Sequence, residues 1–131
     1  MQPTNPDGFE AHILIVDDHE DIASLFSWIL RQAGFQTTVA SSGPEALEFA
    51  QSQEFDLALI DILMPEMDGP STLVRLREIL PQVRALFITG HSGLYELETL
   101  LELGAHGLLL KPILPARLVE AVKECLLLSP A

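Results

Sequence analysis

Five polar residues stand where short apolar runs of the sequence end, the places where a side chain can emerge from a buried strand. Asp17 and Asp18 follow "HILIV", Asp61 follows "LALI", Thr89 ends "RALFIT", and Lys111 follows "GLLL". Three carboxylates at one site repel one another, so a site that keeps them ionised needs a cation. Carboxylate oxygens are ligands that suit Mg²⁺. These residue types therefore predict a magnesium site.

A carboxylate can also act as a covalent nucleophile toward a phosphoryl donor and form an acyl phosphate. Asp61 is the central candidate. If it carried a phosphoryl group, the cation would neutralise one phosphoryl oxygen, the Lys111 ammonium a second, and the Thr89 hydroxyl could donate to a third. The set of residues thus has the chemistry of a phosphoryl acceptor.

The elements that must position these residues are short apolar runs alternating with segments of helical periodicity. The predicted strands are 12–16, "QTTVA", the run from Leu57 into Asp61, 84–89 and 107–110. The predicted helices are one closed by Gly34, one from Ser42-Gly43-Pro44 to about Gln53, one from Gly69-Pro70 to about Leu80, one from about Gly93 to Leu103, and one opened by Pro115. This alternation predicts an α/β fold, a doubly wound five-stranded parallel sheet with helices on both faces. In such a fold ligands gather beyond the carboxyl ends of the strands, where the five polar residues lie.

Length and composition limit the classes of protein to which the chain can belong. It has 131 residues, 48% of them hydrophobic, and a formal net charge of −12. We expect one domain over residues 10–128 after a loose leader, residues 1–9, with no direct nucleic-acid binding and no membrane span. The single cysteine, Cys125, is predicted to lie in the core of a cytoplasmic protein.

Four sequence blocks together resemble the signature of bacterial response-regulator receiver domains: "IVDDHEDI", "LALIDILMPEMDG", "FITGHSG" and "LLLKPI". They occur in the order and at the spacing typical of that family, over about residues 10–128. The resemblance implies the flavodoxin-like strand order 2-1-3-4-5, which places the first and third strand ends side by side. It also implies two-component signalling through a switch in the face formed by the fourth helix, fifth strand and fifth helix.

By this resemblance Asp61 is the phosphoacceptor for a sensor histidine kinase or a phosphotransfer protein. Asp17 and Asp18 match the acidic pair that holds Mg²⁺, with Asp18 as the direct ligand and Asp17 acting largely through water. The backbone carbonyl of Leu63 matches the remaining protein ligand.

Three more positions match the family pattern. Thr89 corresponds to the hydroxyl residue that moves toward the phosphoryl group, and Lys111 to its ammonium partner. Pro112 corresponds to a proline whose preceding peptide bond is usually cis. The family implies a signalling switch with at most self-phosphorylation and autodephosphorylation, not an enzyme, and an output carried by a downstream protein or a further domain.

One position departs from the pattern, because Leu108 stands where many receivers have Tyr or Phe. We expect Leu94, Leu97 and Leu101 to form the inward stripe of the fourth helix. Tyr95 and Leu100 would then lie off that stripe and form an exposed apolar patch with Leu108, suited to a partner or a homodimer.

Two alternative functions remain. A protein-binding module of the same fold could signal without phosphorylation. A hydrolase of the haloacid-dehalogenase type would also use an aspartate and Mg²⁺, but it requires an acid two residues after the nucleophile, where this chain has Leu63. The histidines His12, His19, His91 and His106 lack the spacing of a zinc site. Asp68, in "MDG", is expected to be structural.

Overall fold

The computed structural model describes residues 11–90 and 97–128. These residues form one parallel sheet in the order β2-β1-β3-β4-β5. The strands are β1 (His12–Val16), β2 (Gln36–Ala40), β3 (Leu57–Asp61), β4 (Arg84–Thr89) and β5 (Gly107–Leu110). The helices are α1 (Glu20–Gln32), α2 (Gly43–Ala50), α3 (Gly69–Ile79), α4 (Leu97–Glu102) and α5 (Pro115–Leu126). The predicted fold class and the strand order implied by the family resemblance are both confirmed.

The central strands are apolar because both of their faces are covered by helices. Every residue of β3 is buried, as a strand between two helical layers requires. Alternate residues of β1 point to opposite faces: Ile13 and Ile15 join the core under α1 and α5, whereas Leu14 and Val16 join the core under α2, α3 and α4. The two cores hold the strand ends at one edge in fixed positions.

Helix boundaries follow local sequence signals. Ser42 caps α2 by accepting the backbone N–H of Glu45 at 3.2 Å. Asp68 caps α3 by accepting the N–H of Ser71 at 2.8 Å, so Asp68 has the structural position expected from its sequence context. Gly34, after α1, has a φ of 100°, a left-handed conformation that glycine adopts without a steric penalty.

Two helix predictions need correction. Helix α2 ends at Ala50 rather than near Gln53, because residues 51 and 52 form a turn. The predicted inward stripe of the fourth helix was wrong: Leu97 and Leu101 are 49% and 45% exposed, whereas Leu100 is fully buried in the core with α2 and α3.

The proposed apolar patch of Tyr95, Leu100 and Leu108 is therefore wrong as drawn. A buried Leu100 cannot contribute to a docking surface, and Leu108 is partly buried and packs against the same core. Leu94, Tyr95 and the predicted helix start near Gly93 lie outside the described residues, as does the leader 1–9. Cys125 is buried and unpaired, as expected. No helix among the described residues has the length and apolarity to cross a membrane.

Candidate metal and phosphoacceptor site

The predicted polar residues lie at the carboxyl edge of the sheet, the edge where the parallel strands finish. Asp17 and Asp18 follow β1, Asp61 is the last residue of β3, Thr89 is the last residue of β4, and Lys111 follows β5. Because β1 and β3 are neighbours paired from Ile13↔Leu57 to Val16↔Ile60, their ends bring the carboxylates together. The topology thus creates the expected convergence.

Lys111 forms the cationic side of the site. Its Nζ lies 2.9 Å from Asp17 Oδ2 and 3.4 Å from Asp61 Oδ2. The Lys111 side chain is only 15% exposed, so water screens these interactions less than it would at the surface. The peptide bond between Lys111 and Pro112 is cis, as the family resemblance implies.

The two buried carboxylates respond to this environment in opposite directions. Burial and the negative charge of Asp17 raise the pKa of Asp61, although Lys111 and the backbone N–H of Leu63 oppose the shift. Burial alone would also raise the pKa of Asp17, but hydrogen bonds from the His19 backbone, Lys111 and the His19 ring hold that pKa below its ordinary value. Lys111 therefore does not offset the burial of Asp61 together with its repulsion by Asp17.

Asp18 supplies the observation that bears on a metal. Its Oδ1 is buried and has no hydrogen-bond partner among the described residues. A buried acceptor without a partner is costly unless a cation or water satisfies it. Ligand atoms of Asp17, Asp18, His19 and Asp61 all lie within 4.8 Å of one another. The residues therefore fit a divalent cation.

His19 is the member of this group that sequence reasoning missed. Its Nδ1 lies 2.9 Å from Asp17 Oδ1, 3.4 Å from Asp18 Oδ1 and 3.7 Å from Asp61 Oδ2. The hydrogen bond to Asp17 raises the pKa of His19. The spacing between histidines was the wrong signal; the informative one was a histidine directly after an acidic pair.

The loop from Asp61 to α3 folds tightly against the site. Gly69 donates its N–H to the carbonyl of Ile62 at 2.8 Å. A Cβ at Gly69 would lie 2.5 Å from the backbone oxygen of Asp61, closer than packed atoms approach. Only glycine therefore allows the backbone of Asp61 to lie this close to residue 69.

Thr89 and Leu63 complete the predicted set. Thr89 is buried, 3% exposed, and its carbonyl accepts the backbone N–H of Lys111 at 2.8 Å. Leu63 is 39% exposed. Its predicted role as a metal ligand through the backbone carbonyl stays a prediction.

The fold and the acidic edge define a class: a flavodoxin-like α/β domain that gathers carboxylates and one lysine where its strands end. Residues 13–123 match the family of the response regulator receiver domain. The chain belongs to this family, whose members are signalling switches of two-component systems and phosphoacceptors that use Mg²⁺ in an acidic pocket.

Similar proteins agree with this membership. The chain is 33% identical over 114 residues to the alkaline phosphatase synthesis transcriptional regulatory protein PhoP of Bacillus subtilis, covering 87% of this chain and 48% of that protein. It is 37% identical over 101 residues to the transcriptional regulatory protein ZraR of Escherichia coli K12, covering 77% of this chain and 23% of ZraR. The chain thus spans a half or less of these two relatives.

Solved structures show the same fold at similar length. A CheY-like receiver domain protein from Methanospirillum hungatei superposes with a TM-score of 0.84 at 32% identity, covering 90% of this chain and 94% of that one. The chemotaxis protein CheY4 of Vibrio cholerae gives a TM-score of 0.83 at 29% identity, covering 89% and 99%.

Proposed function

We propose that this receiver domain accepts a phosphoryl group on Asp61 from the phosphohistidine of a sensor histidine kinase or phosphotransfer protein. A carboxylate oxygen of Asp61 forms a bond to phosphorus, and the phosphorus–nitrogen bond of the donor breaks with its electron pair leaving on the donor imidazole. The observation that carries the proposal is the position of Asp61 at a strand end, beside two further carboxylates and 3.4 Å from the Lys111 ammonium.

The other residues of the site would manage charge. Lys111 contacts Asp17 and Asp61 at once, so a small movement of its ammonium can bring it to a phosphoryl oxygen attached to Asp61. Thr89, at the end of the adjacent strand β4, would donate its hydroxyl to another. Preorganised donors of this kind stabilise the charge that develops during transfer.

We assign the metal site to Asp18 and Asp61 with the backbone carbonyl of Leu63, and Asp17 acting largely through water. Mg²⁺, when bound, would supply the positive charge that the site needs beyond Lys111 and neutralise a phosphoryl oxygen. The unpartnered Oδ1 of Asp18 supports its assignment as a direct ligand. The raised pKa of Asp61 supports the need for a cation, because a protonated carboxyl group is a poor nucleophile.

The signal would leave the domain through the face formed by α4, β5 and α5, as a population shift between two conformations. Its recipient would be a downstream protein or an output domain, in keeping with relatives that are transcriptional regulatory proteins. The domain that takes part would span residues 10–128, and the signalling would take place in the cytoplasm. Catalysis would extend no further than self-phosphorylation and autodephosphorylation.

Intact-mass measurement tests the phosphoacceptor. Incubation with acetyl phosphate and Mg²⁺ should add one phosphoryl group to the unmutated protein, with acetate as the leaving group. Asp61→Asn should add none. Asp56→Asn is the matched control, because Asp56 precedes the same strand at the opposite edge of the sheet and is exposed, so this variant should be modified like the unmutated protein.

An unchanged mass of the unmutated protein with both acetyl phosphate and phosphorylated kinases would contradict the proposal. It would favour the phosphorylation-independent binding module instead. Modification that persists in Asp61→Asn would move the acceptor to another residue.

A further inference from the structure

His19 occupies a position in the site that its role in the fold does not require. It is the N-cap residue of α1, yet its side chain makes no capping hydrogen bond. The ring instead turns over the carboxyl edge, where one atom, Nδ1, lies between 2.9 and 3.7 Å from an oxygen of each of three carboxylates. The opposite side of the ring is free to adjust, because the side chain is 55% exposed.

These distances match the spacing between ligands of one cation. Ligands about 2.1 Å from an octahedral ion are about 3 Å apart when adjacent and about 4.2 Å apart when opposite. Asp17, Asp18, His19 and Asp61 each offer one atom of a ligand type, and these atoms lie within 4.8 Å of one another. The Oδ1 of Asp18 is buried and has no hydrogen-bond partner among the described residues, so a cation bound beside it would satisfy this oxygen.

We propose that Nδ1 of His19 is a nitrogen ligand of the divalent cation, so that the site binds transition ions such as Mn²⁺ and Co²⁺ in preference to Mg²⁺ by more than carboxylates alone would give. Imidazole favours transition ions, whereas Mg²⁺ favours oxygen ligands. The inference rests on the metal site of the proposed function, and it adds a ligand that the family resemblance does not assign.

A purely structural role for His19 makes a different prediction. If the ring served only to hold Asp17 through their 2.9 Å hydrogen bond, its loss would weaken Mg²⁺ and Mn²⁺ binding alike. A ligand role changes the ratio of the two affinities. A spectrum of the bound metal also distinguishes the two, since only a ligand nitrogen couples directly to the metal electrons.

The first test is pulsed electron paramagnetic resonance of Mn²⁺ bound to the full chain at about pH 8, where free imidazole is neutral. The unmutated protein should show coupling to a directly bound nitrogen, and labelling its histidines with ¹⁵N should shift that signal. His19→Asn, which offers an amide oxygen in place of the ring nitrogen, should bind Mn²⁺ without the signal.

The second test is calorimetric titration with Mg²⁺ and with Mn²⁺. In His19→Asn the preference for Mn²⁺ over Mg²⁺ should fall by about tenfold, the lower end of the effect that a metal site shows when a supporting group is lost. Glu20→Gln is the matched control: it removes a neighbouring exposed charge and should weaken both cations equally.

Mn²⁺ that binds without nitrogen coupling, or a preference unchanged in His19→Asn, would overturn the role of His19 and leave the metal site intact. Failure of the unmutated protein to bind either cation would overturn both the ligand and the metal site. Phosphorylation of Asp61 is measured separately by mass, so the two proposals can fail independently.

Discussion

At the amino edge of the sheet, where the strands start, His12 donates its backbone N–H to Asp56 at 2.8 Å, and its Nε2 lies 2.7 Å from Thr38 Oγ1. Thr38 in turn donates to Gln53 at 3.3 Å. At the carboxyl edge another histidine meets three carboxylates, and the one lysine there contacts two of them, Asp17 and Asp61. Both edges are polar and both contain a histidine, yet within the described part of the chain only the carboxyl edge contains a buried side-chain oxygen with no hydrogen-bond partner, Oδ1 of Asp18.

The difference shows how a structural polar cluster can be told from a functional one in the same sheet. The amino edge joins neutral donors to acceptors and one exposed carboxylate, so its hydrogen bonds are satisfied by the protein itself. The carboxyl edge concentrates like charges in a buried place, an arrangement that is costly until an external cation arrives. Polarity alone does not mark a site; unbalanced charge does.

The largest expected effect is the response of stability to Mg²⁺. At about a hundred times its dissociation constant, a ligand that binds only the folded state raises the free energy of unfolding by about 2.7 kcal/mol. Asp18→Asn should remove most of this gain, and Thr38→Val at the amino edge should keep it. Thermal unfolding with and without Mg²⁺ measures both. A melting temperature of the unmutated protein that ignores Mg²⁺ would contradict the metal site.

In the absence of metal, one substitution at each edge should change the free energy of unfolding by a smaller amount, and the two changes should have opposite signs. Asp61→Asn removes a buried charge repelled by Asp17 and should stabilise the chain by about 1 kcal/mol. Thr38→Val deprives His12 and Gln53 of a partner and should destabilise it by about 1 kcal/mol. Urea denaturation in EDTA measures the two changes, and destabilisation by both variants would remove the proposed contrast.

The smallest effect concerns pH in the metal-free protein. Burial lowers the pKa of His12, so protonation favours unfolding and stability is lost as the pH falls below about 6.5. The hydrogen bond to Asp17 raises the pKa of His19, so its contribution is complete below about pH 6.5 and is lost as the pH rises through the raised value.

Urea denaturation of two variants at about pH 5.5 and pH 8 distinguishes these slopes. His12→Gln should reduce the loss of stability on the acid side, whereas His19→Gln should reduce the loss on the alkaline side. A decrease in the free energy of unfolding that is the same at both pH values does not affect the test. Slopes of the same sign for both histidines would contradict the assignment.

The strands could be predicted from the sequence because a strand that is buried on both faces is apolar along its whole length. The run from residue 57 to 60, for example, is apolar without interruption. Because parallel strands all end at the same edge of a sheet, the convergence of Asp17, Asp61 and Lys111 followed from their positions at the strand ends. Gly34 was also a reliable signal for a helix end, because its left-handed conformation depends on local sterics.

The fourth helix was predicted less well for a physical reason. Five leucines occur between positions 94 and 103, so several faces are almost equally apolar and periodicity cannot select one. Leu100 is buried and Leu101 is exposed, although the two differ by only one residue and hence about 100° of rotation. Contacts with β5, which no local pattern encodes, decide between them.

His19 was missed because its importance depends on distance in space. Histidines are usually judged as metal ligands by their separation from one another. Here the relevant partners are carboxylates, one of which, Asp61, is 42 positions away in the sequence and contacts the ring only once β3 lies beside β1.

The position of Lys111 in the chain also sets an order of events during protein synthesis. Its partners Asp17 and Asp61 precede it by 94 and 50 residues. Lys111 itself follows β5, which is the last strand in the chain and an outermost strand of the sheet. A ribosome therefore completes all three carboxylates before it adds the one ammonium group that contacts two of them. A nascent chain that stops before β5 would carry the proposed acceptor, Asp61, but lack this counter-charge, so we expect competence to receive a phosphoryl group only when the last strand has joined the sheet.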